Sequence, residues 1–178
     1  MTIDRRNFLK ITSLAIGGTV FAYSCKVTRP GYYFFTEEEA RCLIAICEQI
    51  IPADEDPGAT DAGVIHYIDK QMVTYFKDLQ GIYRKGLAAI QNTCLSSYNL
   101  RFEELSFSEQ NSFLKKLENS GFEGDDWEGI IQGGFFRTII AHTRQGFYGS
   151  PRHGGNKDYV SYKMMGLEYP LVIGQNRY

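Results

Sequence analysis

Five amphipathic segments joined by short polar connectors predict an all-α protein, a single-domain, bundle-like fold of about five helices with an irregular Gly/Tyr-rich C-terminal extension. Three observations carry this expectation. Apolar residues recur at i, i+3, i+4 and i+7 through residues 36–145. Capping residues, glycine and proline punctuate the segments. Alternating polar and apolar runs, the mark of half-buried strands, are sparse.

The first helix opens at Thr36, which forms a capping-box pattern with Glu39, and the acidic run of Glu37, Glu38 and Glu39 suits the positive end of a helix. Ala40, Leu43, Ile44, Cys47, Ile50 and Ile51 share one stripe, and Pro52 ends it. The connector PADEDPGATDAG crowds Asp54, Glu55, Asp56 and Asp61 into eight positions. A calcium loop needs alternating oxygen ligands, a turn glycine and a distal bidentate Glu; that order is missing, so the stretch reads as a solvated helix connector.

A second helix is expected from Asp61 to Leu79, with Ile65, Ile68, Met72, Tyr75, Phe76 and Leu79 on one face. A third follows Gly81 and bears Tyr83, Leu87, Ile90, Cys94 and Tyr98. After a turn, Ser106 with Glu109 caps a fourth helix that carries Phe113, Leu114 and Leu117 and stops at Gly121. A fifth is expected from Asp126 to Gln145 through Trp127, Ile130, Ile131, Ile139 and Ile140. The segment GFYGSPRHGGNKDYVSYKMMGLEYP is broken by glycines and two prolines and reads as an ordered extension lying on the helices. Irregular segments of this length in compact domains are often functional.

The chain has 178 residues; beyond an N-terminal segment of 25, the remainder fits one domain of roughly 150 residues. A hydrophobic fraction of 43%, with 12 Tyr and 12 Phe, excludes general disorder. The net charge is −2, yet Arg5, Arg6 and Lys10 against Asp4 place +2 in the first 24 residues and so leave −4 on the rest. An acidic body excludes a nucleic-acid binder, which needs a clustered basic face. The four cysteines, Cys25, Cys42, Cys47 and Cys94, form no CxxC pair. Cys42 and Cys47 point about 140° apart on one helix, which disfavours a disulfide, and Cys47 and Cys94 lie on apolar stripes as small buried hydrophobes.

Residues 1–25 have the architecture of an export signal: a charged DRRNFLK followed by an uncharged run from Ile11 to Tyr23, too short for an ordinary membrane span. The run holds Gly17, Gly18, Thr12, Ser13 and Thr19, so its hydrophobicity is moderate. The order resembles a twin-arginine signal at Arg5, Arg6, Phe8, Leu9 and Lys10, with Asp4 where Ser is commonest. AYSC also loosely resembles a lipoprotein cleavage site with Cys25 as the acylated residue, although Tyr23 and Ala22 fit that pattern poorly. A free mature terminus and a lipid on Cys25 both stay open. Residues 26–35 then form a connector, and 36–178 the helical domain.

Chemistry-bearing motifs are scarce. His66, His142 and His153 lack a cysteine or carboxylate at ligand spacing, and lone histidines are structural by default. No dinucleotide, P-loop, nucleophile-elbow, zincin, haem or iron–sulfur pattern occurs. The sequence therefore offers no catalytic, cofactor or metal residues of its own.

Three segments, FFTEEEARCLIAICEQIIPADEDPGATDAGVIHYID, FEELSFSEQNSFLKKLE and FYGSPRHGGNKDYVSYKMMGL, resemble in content and order the gluconate 2-dehydrogenase subunit 3 family, the gamma or small subunit. Together they span most of residues 34 to 167; Tyr162 stands where that family often has Trp. The resemblance implies a non-catalytic subunit of a periplasmic dehydrogenase complex acting on sugars, sugar acids or alcohols. It implies a large partner holding FAD, of the glucose-methanol-choline (GMC) flavoprotein type, and often a cytochrome c subunit. It further implies that the small subunit bears the export signal for both chains and meets the twin-arginine translocase, with membrane association through the partner, an uncleaved signal or a lipid on Cys25.

Partner contacts are expected at Asp54 and Asp56 in the acidic connector, and at Phe147, Tyr148, His153, Asn156, Tyr159 and Tyr162 in the tail, near Met164, Met165 and Tyr169. The competing expectation is that these aromatics close the domain's own core. A second functional reading is a stand-alone exported or lipid-anchored helical binding protein with a different partner.

Overall fold

A computed structural model describes residues 31–167; Arg5, Arg6, Phe8, Leu9, Lys10, Cys25 and Tyr169 lie outside the described residues. Within them the chain folds as six α-helices without strands: α1 Glu37–Ile50, α2 Val64–Met72, α3 Gln80–Tyr98, α4 Phe107–Glu118, α5 Gln132–Tyr148 and α6 Val160–Met164. Short 3-10 turns at Lys77–Leu79, Phe102–Glu104, Asp125–Trp127, Pro151–His153 and Lys157–Tyr159 connect them.

Helix α1 is the central element, touching α2, α3, α4 and α5. Its start follows the capping logic: Glu39 N donates to Thr36 Oγ1 at 3.2 Å, and Thr36 N donates to Glu39 Oε2 at 2.8 Å. Because neighbours surround it, its buried face is Ala40, Cys42, Leu43, Ile46 and Cys47, while Ile44, Ile50 and Ile51 pack only partly against the core. The expected stripe is thus rotated, and Cys42 joins Cys47 and Cys94 as a buried free thiol. Burial pushes the Cys47 thiol up to about 12, which keeps it protonated.

Helix α2 departs from expectation by ending at Met72 rather than continuing to Leu79. The apolar period runs on, but the backbone leaves it: Phe76 N donates to Gln71 O at 2.8 Å, and Gln80 Nε2 to Met72 O at 2.8 Å. The turn lets Phe76 stack on His142 of α5, ring centroids 4.0 Å apart at 6°. Tyr75, expected on the buried face, is instead 83% exposed.

Helix α5 begins at Gln132, not Asp126. Residues 125–127 form a 3-10 turn that seats Trp127 against α3, its Nε1 donating to Thr93 Oγ1 at 3.0 Å. Gly129 then adopts φ +74°, a left-handed conformation that no helix can traverse, and Ile131 is left 79% exposed. Helix α4 keeps its expected Ser106–Glu109 capping box and buries Phe113, Leu114 and Leu117.

Ahead of α1, residues 31–35 lie across α2 as a strap. Asp69, 2% exposed, accepts three successive N–H groups of the strap: Tyr33 N at 2.6 Å, Phe34 N at 2.9 Å and Phe35 N at 3.1 Å. An Asp placed among the apolar positions of α2 thereby finds partners for its carboxylate.

Candidate functional site

The C-terminal segment is held against α2 and α5 by specific contacts. Gly149 ends α5, its N–H bonded to Gln145 O at 2.9 Å. Asn156, fully buried with φ +45°, donates from Nδ2 to Gly149 O at 2.9 Å and accepts Ser161 N at Oδ1 at 3.0 Å. Lys157 N donates to Ala62 O at 2.9 Å, joining the segment to the end of the acidic connector. Lys70 Nζ donates to Arg152 O at 3.0 Å. The extension is therefore ordered, and contains two 3-10 turns and α6.

Gly155 packs its backbone directly onto the Gly146 carbonyl of α5, leaving no room for a side chain. Gly155→Ala is expected to lift this segment from α5 and cost about 1–3 kcal/mol, as overpacking does; thermal unfolding measures the cost and limited proteolysis of 149–166 the release.

The residues expected at a partner contact divide by burial. Phe147 and Asn156 are fully buried and Tyr162 is 7% exposed, so these side chains build the domain beneath the surface. Tyr148 and both aspartates, Asp54 and Asp56, are exposed, while His153 and Tyr159 are half-buried. The acidic connector is tied down by carboxylates: Glu48 accepts from Ala53 N and from Thr60 N and Oγ1, and Asp61 accepts from Gly58 N. Among the described residues no cluster of three His, Cys, Asp or Glu side chains stands ready for a metal ion.

The three histidines are kept apart by their surroundings. His66 is exposed and stacks on Tyr32 at 5.8 Å. His153 accepts at Nε2 from Arg152 Nε at 3.0 Å. His142 is 5% exposed, lies between Phe76 and Tyr83, and its Nδ1 shares a hydrogen bond with the Tyr83 hydroxyl at 2.8 Å. Burial pushes its imidazole down to about 4 and the Tyr83 phenol well up, so both are neutral near pH 7. None of the three pairs with a carboxylate among the described residues.

Beside this segment runs a groove of about 610 Å³, within the range of binding clefts. One wall is Tyr67 of α2 with Tyr75 and Phe76 of the turn; the other is Arg144 and Tyr148 of α5 with His153. Tyr67 Oη donates to Gln145 Oε1 at 2.9 Å and bridges the two walls, its phenol raised by burial and so protonated. A smaller cavity of about 160 Å³ beside Tyr32 and His66 falls below that range. The groove thus offers aromatic faces and a guanidinium, which is recognition chemistry.

Sequence reasoning found Tyr148 and His153 but missed Tyr67, Tyr75, Phe76 and Arg144. Tyr75 and Phe76 continue the apolar period of α2, so periodicity assigns them to the core. Only the end of α2 at Met72 turns Tyr75 outward.

No curated protein and no solved structure matches the chain. The family model for gluconate 2-dehydrogenase subunit 3 matches residues 37–168, from the first residue of α1 past the end of α6, and takes in both walls of the groove. On that match, across most of its length, the chain belongs to the gluconate 2-dehydrogenase subunit 3 family.

Proposed function

We propose that this chain is the non-catalytic small subunit of a periplasmic, FAD-dependent dehydrogenase complex that oxidises a sugar, a sugar acid or an alcohol. The observation that carries this reading is the family match over residues 37–168, which covers the helical body and its C-terminal loop. The family is a dehydrogenase subunit, so the chain's place is in a multi-subunit dehydrogenase. FAD belongs to the large partner, a flavoprotein of the glucose-methanol-choline type, and a cytochrome c subunit receives the electrons. The chain assists the flavoprotein's folding and stability and carries it through the twin-arginine translocase.

The signal at Arg5, Arg6, Phe8, Leu9 and Lys10 supports the export role, because that route moves folded proteins and suits a partner that takes up its cofactor in the cytoplasm. Membrane association follows from the partner, from an uncleaved signal or from a lipid on Cys25. In cells expressing the chain with its flavoprotein, changing Arg5 and Arg6 together to Lys is expected to leave both chains in the cytoplasm. Fractionation followed by dehydrogenase assay reads the result. A flavoprotein that still reaches the periplasm refutes the shared export role.

A further inference from the structure

Residues 150–167, which lie over the seam between α2 and α5, are held closed against two internal costs. The first is in the backbone. Asn156, Asp158 and Tyr159 all adopt left-handed conformations, at φ +45°, +54° and +60°. Residues with a Cβ seldom enter that region, and a bulky aromatic one least of all. The other described non-glycine residues of this kind, Asn99 and Ser120, stand singly just past α3 and α4, where helices commonly end in this way. Three within four positions do not make a cap; they make a strained turn.

The second cost lies at the start of α6. Ser161 is fully buried, yet its hydroxyl has no hydrogen-bond partner among the described residues. Exposure to water would satisfy that hydroxyl and relax the turn at the same time. Little apolar burial opposes such a release. Tyr162 is the one large apolar side chain that the segment buries, whereas Met164, Met165 and Leu167 are 37%, 46% and 43% exposed.

Closure depends instead on a few polar and backbone contacts. Asn156 binds Gly149 O and Ser161 N, and Lys157 N reaches across to Ala62 O. Gly154 and Gly155 lie against the carbonyls of His66 and Gly146. These contacts fall on four consecutive residues, so they break together. Segments with few buried apolar contacts are those that open locally while the rest of a domain stays folded.

We propose that residues 150–167 are a strained latch that opens as a unit while α1 to α5 remain folded. Opening uncovers Gly146 and the Val64 and Tyr67 side chains beside it, and so extends along the seam the groove that reaches Gly149 and His153.

The test is residue-resolved amide hydrogen exchange by NMR on the full-length chain, at a pH where exchange follows the opening equilibrium. The amides of Lys157, Tyr159 and Ser161, bonded to Ala62 O, Asn156 O and Asn156 Oδ1, are expected to share one opening constant within about threefold. That constant should exceed those of Leu43 and Ile46 in α1 by at least about tenfold. Asp158→Gly, at an exposed side chain, removes the Cβ from a left-handed position, and Ser161→Ala removes the unpaired hydroxyl; each is expected to slow exchange of Lys157 about threefold. Asn156→Ala removes the pin and is expected to quicken it at least about tenfold.

The sign for Asp158→Gly is diagnostic, because glycine costs more entropy to order and would quicken exchange at an unstrained position. Quicker exchange in that variant overturns the strain. A Lys157 amide as protected as Leu43 shows that the segment opens only with the whole domain, and the latch falls. If Ser161 exchanges readily while Lys157 stays protected, α6 merely frays and the unit does not exist.

Discussion

Replacing Asp69 with alanine is expected to lower the unfolding free energy by about 3 kcal/mol and to release residues 31–35 from α2. The carboxylate is the single acceptor for three successive backbone N–H groups, at 2.6, 2.9 and 3.1 Å. Hydrogen bonds to a charged group contribute about 1.5–3 kcal/mol each, but these three share one carboxylate and Tyr33 and Phe34 are partly solvated, so the effects do not add in full. The N–H of Phe35 is in a buried setting, and the Phe35 ring packs 5.8 Å from that of Tyr83. Loss of the clasp therefore loosens core packing as well as the strap.

For a domain of this size the loss corresponds to roughly 6–12 °C in Tm. Asp69→Asn keeps the volume and one oxygen but turns an NH2 toward the donors, so it is expected to lose about half as much. Thermal unfolding followed by circular dichroism checks the stability, and protease cleavage within 31–35 checks the release. Asp78→Ala, at an exposed carboxylate in the turn after α2, serves as the control. An Asp69→Ala variant no less stable than this control would show that the carboxylate does not hold the strap. The consequence bears on the proposed export role, because residues 31–35 lie between the proposed signal and the helical body.

Local signals made some of these elements legible. Both capping boxes, Thr36–Glu39 and Ser106–Glu109, formed where the sequence placed them, because a cap is decided within four residues. The boundaries set by distant partners were hidden. Residues 73–76 continue the apolar period of α2, and only the stack of Phe76 on His142 and the bond from Gln80 to Met72 O fix a break there. Asp126 resembled a helix start, but Trp127 is drawn to Thr93 on α3 and Gly129 turns the chain before Gln132.

The site shows the same division. Tyr148 and His153 stand out in a segment rich in turns, whereas Tyr75 becomes a surface residue only because α2 stops early. Asp69 carried a readable signal, an acid adjacent to Ile68 within the buried stripe of a helix. Such a residue must find a partner, yet nothing in the sequence names the strap amides that serve it.

His142 is expected to cost the protein about 2 kcal/mol of stability as the pH falls from 6.5 to 4. Its ring is sandwiched between Phe76 at 4.0 Å and Tyr83 at 5.9 Å, and its Nδ1 is hydrogen-bonded to the Tyr83 hydroxyl, which burial keeps protonated. A charged ring would be desolvated there, with no carboxylate paired to it among the described residues. Burial thus holds the folded-state value at about 4, against about 6.5 for an unfolded histidine. Between those values the unfolded chain binds the extra proton, so stability is full above pH 6.5, falls as pH drops through the window and levels off below 4. At full strength the gap is worth about 3 kcal/mol; solvent reaching the ring edge reduces it to about 2.

His142→Phe alone removes the titration but leaves the Tyr83 hydroxyl buried without its hydrogen-bond partner, a loss of about 1–3 kcal/mol. The double variant Tyr83→Phe/His142→Phe removes both partners and is expected to recover most of that loss. Urea unfolding at pH 7 and pH 4.5 gives the acid-induced loss for wild type and for the double variant. Carboxylates common to both cancel in the difference, which isolates the imidazole. A double variant that loses as much stability on acidification as wild type would show that His142 takes up its proton equally in the folded and unfolded states across this range, so that its burial is not what the acid disrupts; the expected result is a flatter acid limb by about 2 kcal/mol.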